Sequence, residues 1–87
     1  MNLIEKLDSA LRQVRPEAEI KVYSTGARRV MATVTSPVFA PLDDTARQEM
    51  VWQAILENLT DDEAVQVEFV FTDTPDEAAE QIREAAR

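Results

Sequence analysis

Carboxylates are the side chains most able to do chemistry in this chain, because histidine and cysteine are absent from all 87 residues. Three clusters stand out: Asp43-Asp44, Asp61-Asp62-Glu63, and Asp73 to Glu77. Spaced carboxylates can hold calcium or magnesium, and a facing pair can work as acid and base. None of the three has the alternating ligands and turn glycine of an EF-hand loop. Two of them open helix-like runs, where a carboxylate satisfies backbone N–H groups and the helix dipole. Capping is the simpler reading, so no catalytic residue, metal ligand or cofactor is assigned and no enzyme activity is expected. Thiolate nucleophiles, Ser-His-Asp triads and zinc sites built on histidine or cysteine are excluded by composition.

Charge separates along the chain. Residues 1–36 carry six basic and four acidic side chains, and residues 37–87 carry three and thirteen, so a net −8 hides a half at +2 and a half at −10. Such an acidic field repels phosphate backbones, which disfavours general nucleic-acid binding. The cations that would have to overcome it are Lys21, Arg28 and Arg29, with Arg47 further on. A length of 87 residues suits one domain over 1–87, since two cores of half that size would be marginal. No stretch approaches the roughly 20 apolar residues of a membrane span. The start Met1-Asn2-Leu3-Ile4-Glu5 has no secretory pattern, so a cytoplasmic protein is expected.

The elements that must position these groups follow from periodicity. Leu3, Ile4, Leu7, Leu11 and Val14 form one helical stripe over 3–14, with Asn2 as N-cap and Pro16 ending helical geometry at Arg15. Ile20 and Val22, then Val30, Ala32 and Val34, alternate with more polar neighbours and predict two strands. They form a hairpin around Ser24 to Ala27, where Gly26, the only glycine, is expected to supply a positive φ. The prolines of Ser36 to Leu42 exclude a central strand, and the segment reads as an ordered connection held by Phe39. Asp43 or Asp44 then caps a long helix with a wide apolar arc: Met50, Val51, Trp52, Ala54, Ile55, Leu56 and Leu59. Thr60 to Glu63 is a polar break or a helical turn. Val65, Val67, Phe69 and Phe71 alternate with Gln66, Glu68, Val70 and Thr72, the clearest strand in the chain. Thr74, Pro75 and Glu77 open a last, alanine-rich helix through Ala86 that frays near Arg87.

The order α-β-β-α-β-α predicts an α+β domain. Its three-stranded mixed sheet is covered by helices on one face, and its third strand, reached by a helical crossover, runs parallel to its neighbour. With that order on the page, Ser36-Pro37-Val38-Phe39, Arg47-Gln48 and the run from Val65 to Glu77 resemble motifs of the BolA family, whose fold is akin to class II KH domains. The likeness covers about residues 3 to 80. The family often has Ser-Pro-x-Phe after its second strand, Arg-His in the following helix, and a histidine at the start of its third strand leading to Thr-Pro-Glu-Glu.

The resemblance implies a monothiol glutaredoxin as partner and an iron–sulfur cluster shared with it. That cluster would be held by the strand-three histidine and by a histidine or cysteine in the first hairpin. Here those places hold Gln66 and the loop Ser24 to Arg29, and Gln48 replaces the histidine after Arg47. Glutamine does not titrate near neutral pH and is a poor iron ligand, so no ligand role is carried over. The expected function is a non-catalytic interaction or adaptor module, a monomer or weak homodimer. Its partner contacts are expected among Trp52, Leu56, Gln66 and Arg47. Trp52 reads either as half-buried core or as an interface anchor. Tyr23, Met31 and Val70 could form a second contact surface on the open side of the sheet. The contrasting reading is a KH-like regulator binding nucleic acid through Lys21, Arg28 and Arg29. A single glycine excludes the Gly-x-x-Gly clamp that KH domains use.

Overall fold

A computed structural model describes residues 2–14 and 17–85. Arg15, Pro16, Ala86 and Arg87, where the sequence pattern places the first helix stop and the frayed end, lie outside the described residues. Helix α1 spans Leu3–Arg12, and Asn2 caps it by accepting the Glu5 N–H at 2.9 Å. Its buried face is Leu7, Ala10 and Leu11, with Leu3 half-buried against the core and Ile4 largely exposed. Strands β1 (Glu19–Gly26) and β2 (Arg29–Thr35) pair antiparallel, and β3 (Val67–Asp73) joins β2 in parallel, giving the order β1-β2-β3. The expected mixed sheet is present.

A 3₁₀ turn, Pro37–Phe39, links β2 to α2 (Asp44–Asn58). Buried Ser36 caps that turn, and Phe39 is completely enclosed as the expected anchor. Asp43 rather than Asp44 caps α2, accepting from Ala46 N at 2.8 Å. The polar segment after α2 resolves into α3 (Asp61–Ala64), entered through a reciprocal box between Thr60 and Glu63. Helix α4 (Pro75–Ala85) is entered through the box expected from Thr74 and Glu77. These boxes place acidic side chains where N-terminal N–H groups lack partners. Two of the three carboxylate clusters are spent in this way.

The core brings Leu7 and Leu11 of α1 and Val51 and Ile55 of α2 onto Val30, Ala32, Val34, Val67 and Val70 of the sheet. The wide arc of α2 is divided: Val51, Ala54 and Ile55 are buried, Met50 and Trp52 lie at the margin, and Leu56 is 62% exposed. Reciprocal amide bonds between Gln13 and Asn58 tie the end of α1 to the end of α2. Helix α4 has no buried residue, and its Ala78, Ile82 and Ala85 border a shallow cleft opposite Lys21, Tyr23 and Thr33.

Two expectations are corrected. The first is the phase of β3. Val30 pairs with Val67 but Met31 pairs with Phe69, so Glu68 is an extra residue and the facing pattern reverses after it. Val70 is therefore fully buried, while Phe69 and Phe71 are each about half exposed, at 49% and 47%. Val65 precedes the strand and is exposed. Phe69 and Phe71, not Val70, join Tyr23 and Met31 on the open side. The displaced Glu68 accepts from Thr25 Oγ1 at 3.1 Å and Arg29 Nη1 at 3.2 Å, pinning the base of the hairpin.

The second correction concerns the turn. Gly26 has no positive φ; Arg28 does, at 60°. Gly26 pairs with Arg29, so Ala27 and Arg28 form a two-residue connection, and Thr25 slips out of register beside it. The mirror-image hairpin turns need a left-handed first central residue, and here only the second is left-handed, a conformation that accompanies a bulge such as the one at Thr25. A side chain at Gly26 would meet nothing within 4 Å. Gly26→Ala should therefore raise stability by about 0.5 kcal/mol through lower unfolded-state entropy. Arg28→Gly should gain a similar amount, on the order of 0.5 kcal/mol net, because relief of the left-handed strain exceeds the added entropy cost. Urea titrations of the two single variants check this; a loss in Gly26→Ala would mean that the turn needs glycine after all.

Candidate functional site

Three places on the surface gather the residues singled out by sequence. The first lies between the start of α1, the β1–β2 turn and the start of β3. Ser24, Gly26, Arg28, Arg29 and Gln66 line a depression of about 270 Å³, together with Asn2, Leu3, Ile4 and Val30. The fold thus brings Gln66 to the hairpin loop, as the family resemblance implies. The donor set does not suit an iron–sulfur cluster: no thiolate, imidazole or carboxylate lines the depression, and two guanidinium-bearing residues do. The Gln66 amide donates to Asp62 O at 3.0 Å, so local structure holds it. Among the described residues, no three histidine, cysteine, aspartate or glutamate side chains gather to hold a metal ion.

The second place is the seam between α2 and β3. Gln48 Nε2 donates to Val70 O at 2.9 Å, and Trp52 Nε1 donates to Gln48 Oε1 at 3.1 Å. The residue replacing the family's histidine is therefore a bridge from helix to strand. It satisfies a carbonyl of an edge strand and the indole N–H of a half-buried tryptophan at once. Trp52 is core-margin with a polar tether, one turn from exposed Leu56. No sequence pattern announces this bridge, since it requires α2 to lie along β3.

Arg47 has a different fate from that expected of a contact residue. It is 7% exposed, and Nε donates to both Phe39 O and Leu42 O at 3.0 Å. Nη1 and Nη2 form a two-point pair with Glu77 at 2.8 and 3.2 Å, and Nη1 also reaches Thr72 O at 3.5 Å. The guanidinium lies 5.8 Å from the centre of the Phe39 ring. Arg47 therefore clamps the 3₁₀ turn, β3 and α4 together. Such a fork adds donors to carbonyls outside the sheet ladder, of which Phe39 O also accepts from Leu42 N, a task for which a lysine's single charge centre is unsuited. Thr35 Oγ1 bonds Asp73 Oδ1 at 2.7 Å and Ser36 N bonds Asp73 O at 2.9 Å, closing the same end of the sheet.

The third place is the basic hairpin proposed for nucleic acid. Lys21 pairs with Glu19 at 3.6 Å and Arg29 with Glu68 at 3.2 Å, whereas Arg28 has no ion pair among the described residues. Two of the three cations are thus matched by carboxylates on their own sheet.

These elements define a class, an α+β domain with a three-stranded mixed sheet in α-β-β-α-β-α order. The fold is BolA-like. The chain is similar to the solved structure of a Bol-like protein from Babesia bovis, with a TM-score of 0.67 and 22% identity over 93% of this chain and 94% of the other. No family sequence model and no curated protein sequence matches the chain. No described helix is long and apolar enough to cross a membrane.

Proposed function

We propose that the chain is a divergent BolA-type interaction module that binds a protein partner without catalysing a reaction and without supplying iron–sulfur ligands. The observation that carries this reading is the number of large apolar side chains left exposed on α2, on β3 and just before it. Leu56 of α2, Val65, and Phe69 and Phe71 of β3 are 62%, 81%, 49% and 47% exposed. Exposed side chains of this size next to a tethered tryptophan are the usual makings of a binding surface. Trp52, Leu56 and Gln66 remain the proposed contacts, and Arg47 serves them by holding β3 and the turn in place. A monothiol glutaredoxin is the partner class that the resemblance brings to this chain, and a cytoplasmic adaptor the corresponding setting. The nucleic-acid alternative gains no support from a hairpin whose Lys21 and Arg29 are already paired with carboxylates.

Titration of the purified chain with a cluster-loaded monothiol glutaredoxin tests the proposal. Leu56→Asp is expected to weaken binding by about tenfold or more, the loss typical of a buried apolar contact replaced by a charge. Gln66→Ala should leave the cluster's visible absorption and circular dichroism unchanged. A spectrum altered by Gln66→Ala would make Gln66 a ligand and overturn the ligand-free reading, and no association at all would remove the glutaredoxin from it.

A further inference from the structure

The reversal of β3 after Glu68 places two aromatic rings beside the start of α2. Phe69 and Phe71 stand 4.6 Å apart between centroids, tilted by 52°. With Asp44, Gln48 and Thr72 they line a depression of about 330 Å³. Its lining is two aromatic rings, a carboxylate, an amide and a hydroxyl, with no cation. Asp43, not Asp44, caps α2, and Asp44 has no ion pair among the described residues. Arg47, whose charge Asp44 also feels, is already matched by Glu77 and has its donors turned to Phe39 O and Leu42 O. The carboxylate at the mouth is therefore available to an incoming cation, in a half of the chain that carries −10.

We propose that this depression is a receptor for an arginine side chain on the partner protein. The guanidinium would lie against Phe69 and Phe71 and pair with Asp44. A guanidinium is planar and weakly hydrated, so it stacks on aromatic faces while its edge N–H groups bond a carboxylate. A compact ammonium meets only part of that lining, and an apolar side chain would leave the Asp44 carboxylate without a counter-charge. Charge complementarity thus selects a basic segment of a partner over a second copy of this acidic chain. A strand added along the open edge of β3 is disfavoured as the mode, because Gln48 already occupies the Val70 carbonyl and Arg47 lies 3.5 Å from that of Thr72. The inference rests on the interaction-module reading and specifies its chemistry.

The test is an NMR titration of the full ¹⁵N,¹³C-labelled chain with an acetylated, amidated Gly-Arg-Gly peptide, and in parallel with its neutral isostere containing citrulline. Saturating shifts are expected at Phe69, Phe71, Asp44 and Gln48, with affinity about tenfold weaker for citrulline and for Asp44→Asn, as loss of a charge-assisted pair implies. Phe69→Ser combined with Phe71→Ser removes the stack at exposed positions; its backbone spectrum reports whether the fold persists. Equal binding of the two peptides, shifts centred elsewhere, or no saturation overturns the proposal. So do shifts at these residues on concentrating the chain alone, which would make a second copy the occupant. Such failures leave glutaredoxin binding through Trp52 and Leu56 untouched, and a failed glutaredoxin titration leaves arginine capture untouched, so the two readings fail separately.

Discussion

Replacing Phe39 with alanine is expected to cost about 3–5 kcal/mol, the usual range for emptying a fully enclosed phenylalanine site. A domain of this length has on the order of 4–13 kcal/mol in total, so the variant should sit near its folding threshold. The ring is 0% exposed and is held in a single 3₁₀ turn between two prolines, Pro37 and Pro41. That turn cannot collapse freely into the space. Its backbone is fixed by Ser36 on one side, and on the other by the Arg47 bonds to Phe39 O and Leu42 O. A cavity whose walls are pinned keeps most of its volume, which pushes the cost toward the upper end. Phe39→Leu keeps much of the volume and should lose only about 1–1.5 kcal/mol. Urea denaturation followed by circular dichroism measures both. A loss below about 1 kcal/mol in Phe39→Ala would show that the turn is not the anchor of the crossover.

The elements that were legible in sequence are those with local causes. Asn2 and Thr74 sit three residues before Glu5 and Glu77, and each delivers a cap because the partners lie within one turn; Thr60 and Glu63 do the same where the sequence leaves a polar break or a helical turn open. The hairpin and the proline-bounded connection are read equally directly, since alternation and missing N–H groups act residue by residue. The facing of β3 is not local. Phe69 and Phe71 alternate with Val70 in a way that favours burying the larger rings. Yet one extra residue at Glu68 reverses every side chain beyond it, and the narrow space above Ala32 and Val34 receives Val70. Only the pairing with β2 and the hairpin contacts of Glu68 reveal the slip. Gly26 differs for the opposite reason: its conformational freedom permits a positive φ without requiring one, and the left-handed residue is Arg28. At the candidate sites, the meeting of Gln66 with the hairpin was legible through the resemblance. The receptor at Phe69, Phe71 and Asp44 was not, because it depends on the slip and on α2 lying along β3.

Arg47→Met should lower stability by about 3 kcal/mol, or roughly 12–24 °C in Tm for a domain of this size. Methionine keeps much of the apolar stem, so the loss reports the guanidinium rather than a cavity. Phe39 O and Leu42 O lose their Nε donor, and Glu77 loses the two-point pair that ties α4 to α2. Helix α4 buries no residue of its own, so its attachment should loosen first, seen as faster amide exchange over 75–85 than over α2. Arg47→Lys should recover only part of the loss, because a single ammonium nitrogen cannot span the carbonyls and the two Glu77 oxygens that the fork reaches from separate nitrogens.

The same pair sets an acid limb. Hydrogen bonds from Arg47 and from Thr74 N–H hold the Glu77 carboxyl below the usual carboxylate range. Folded Glu77 therefore binds its proton less readily than unfolded Glu77. The stabilisation is complete above the ordinary glutamate pKa of about 4.3 and drains as pH falls below that value through the lowered one. Glu63, held down by Lys6 and the Thr60 N–H, adds a limb of the same sign. Glu77→Gln should thus be less stable than the parent at pH 7 and lose less on going to pH 3, while retaining the Glu63 contribution. Parallel acid limbs for the two proteins would mean that the Arg47–Glu77 contact in the folded state does not favour the ionised carboxyl. With the clamp broken, the end of β3 that carries Phe71 and Thr72 loses its tie to the turn and to α4. Arg47→Met should then weaken arginine capture through displacement of Phe71, an effect opposed by loss of a cation whose charge Asp44 feels.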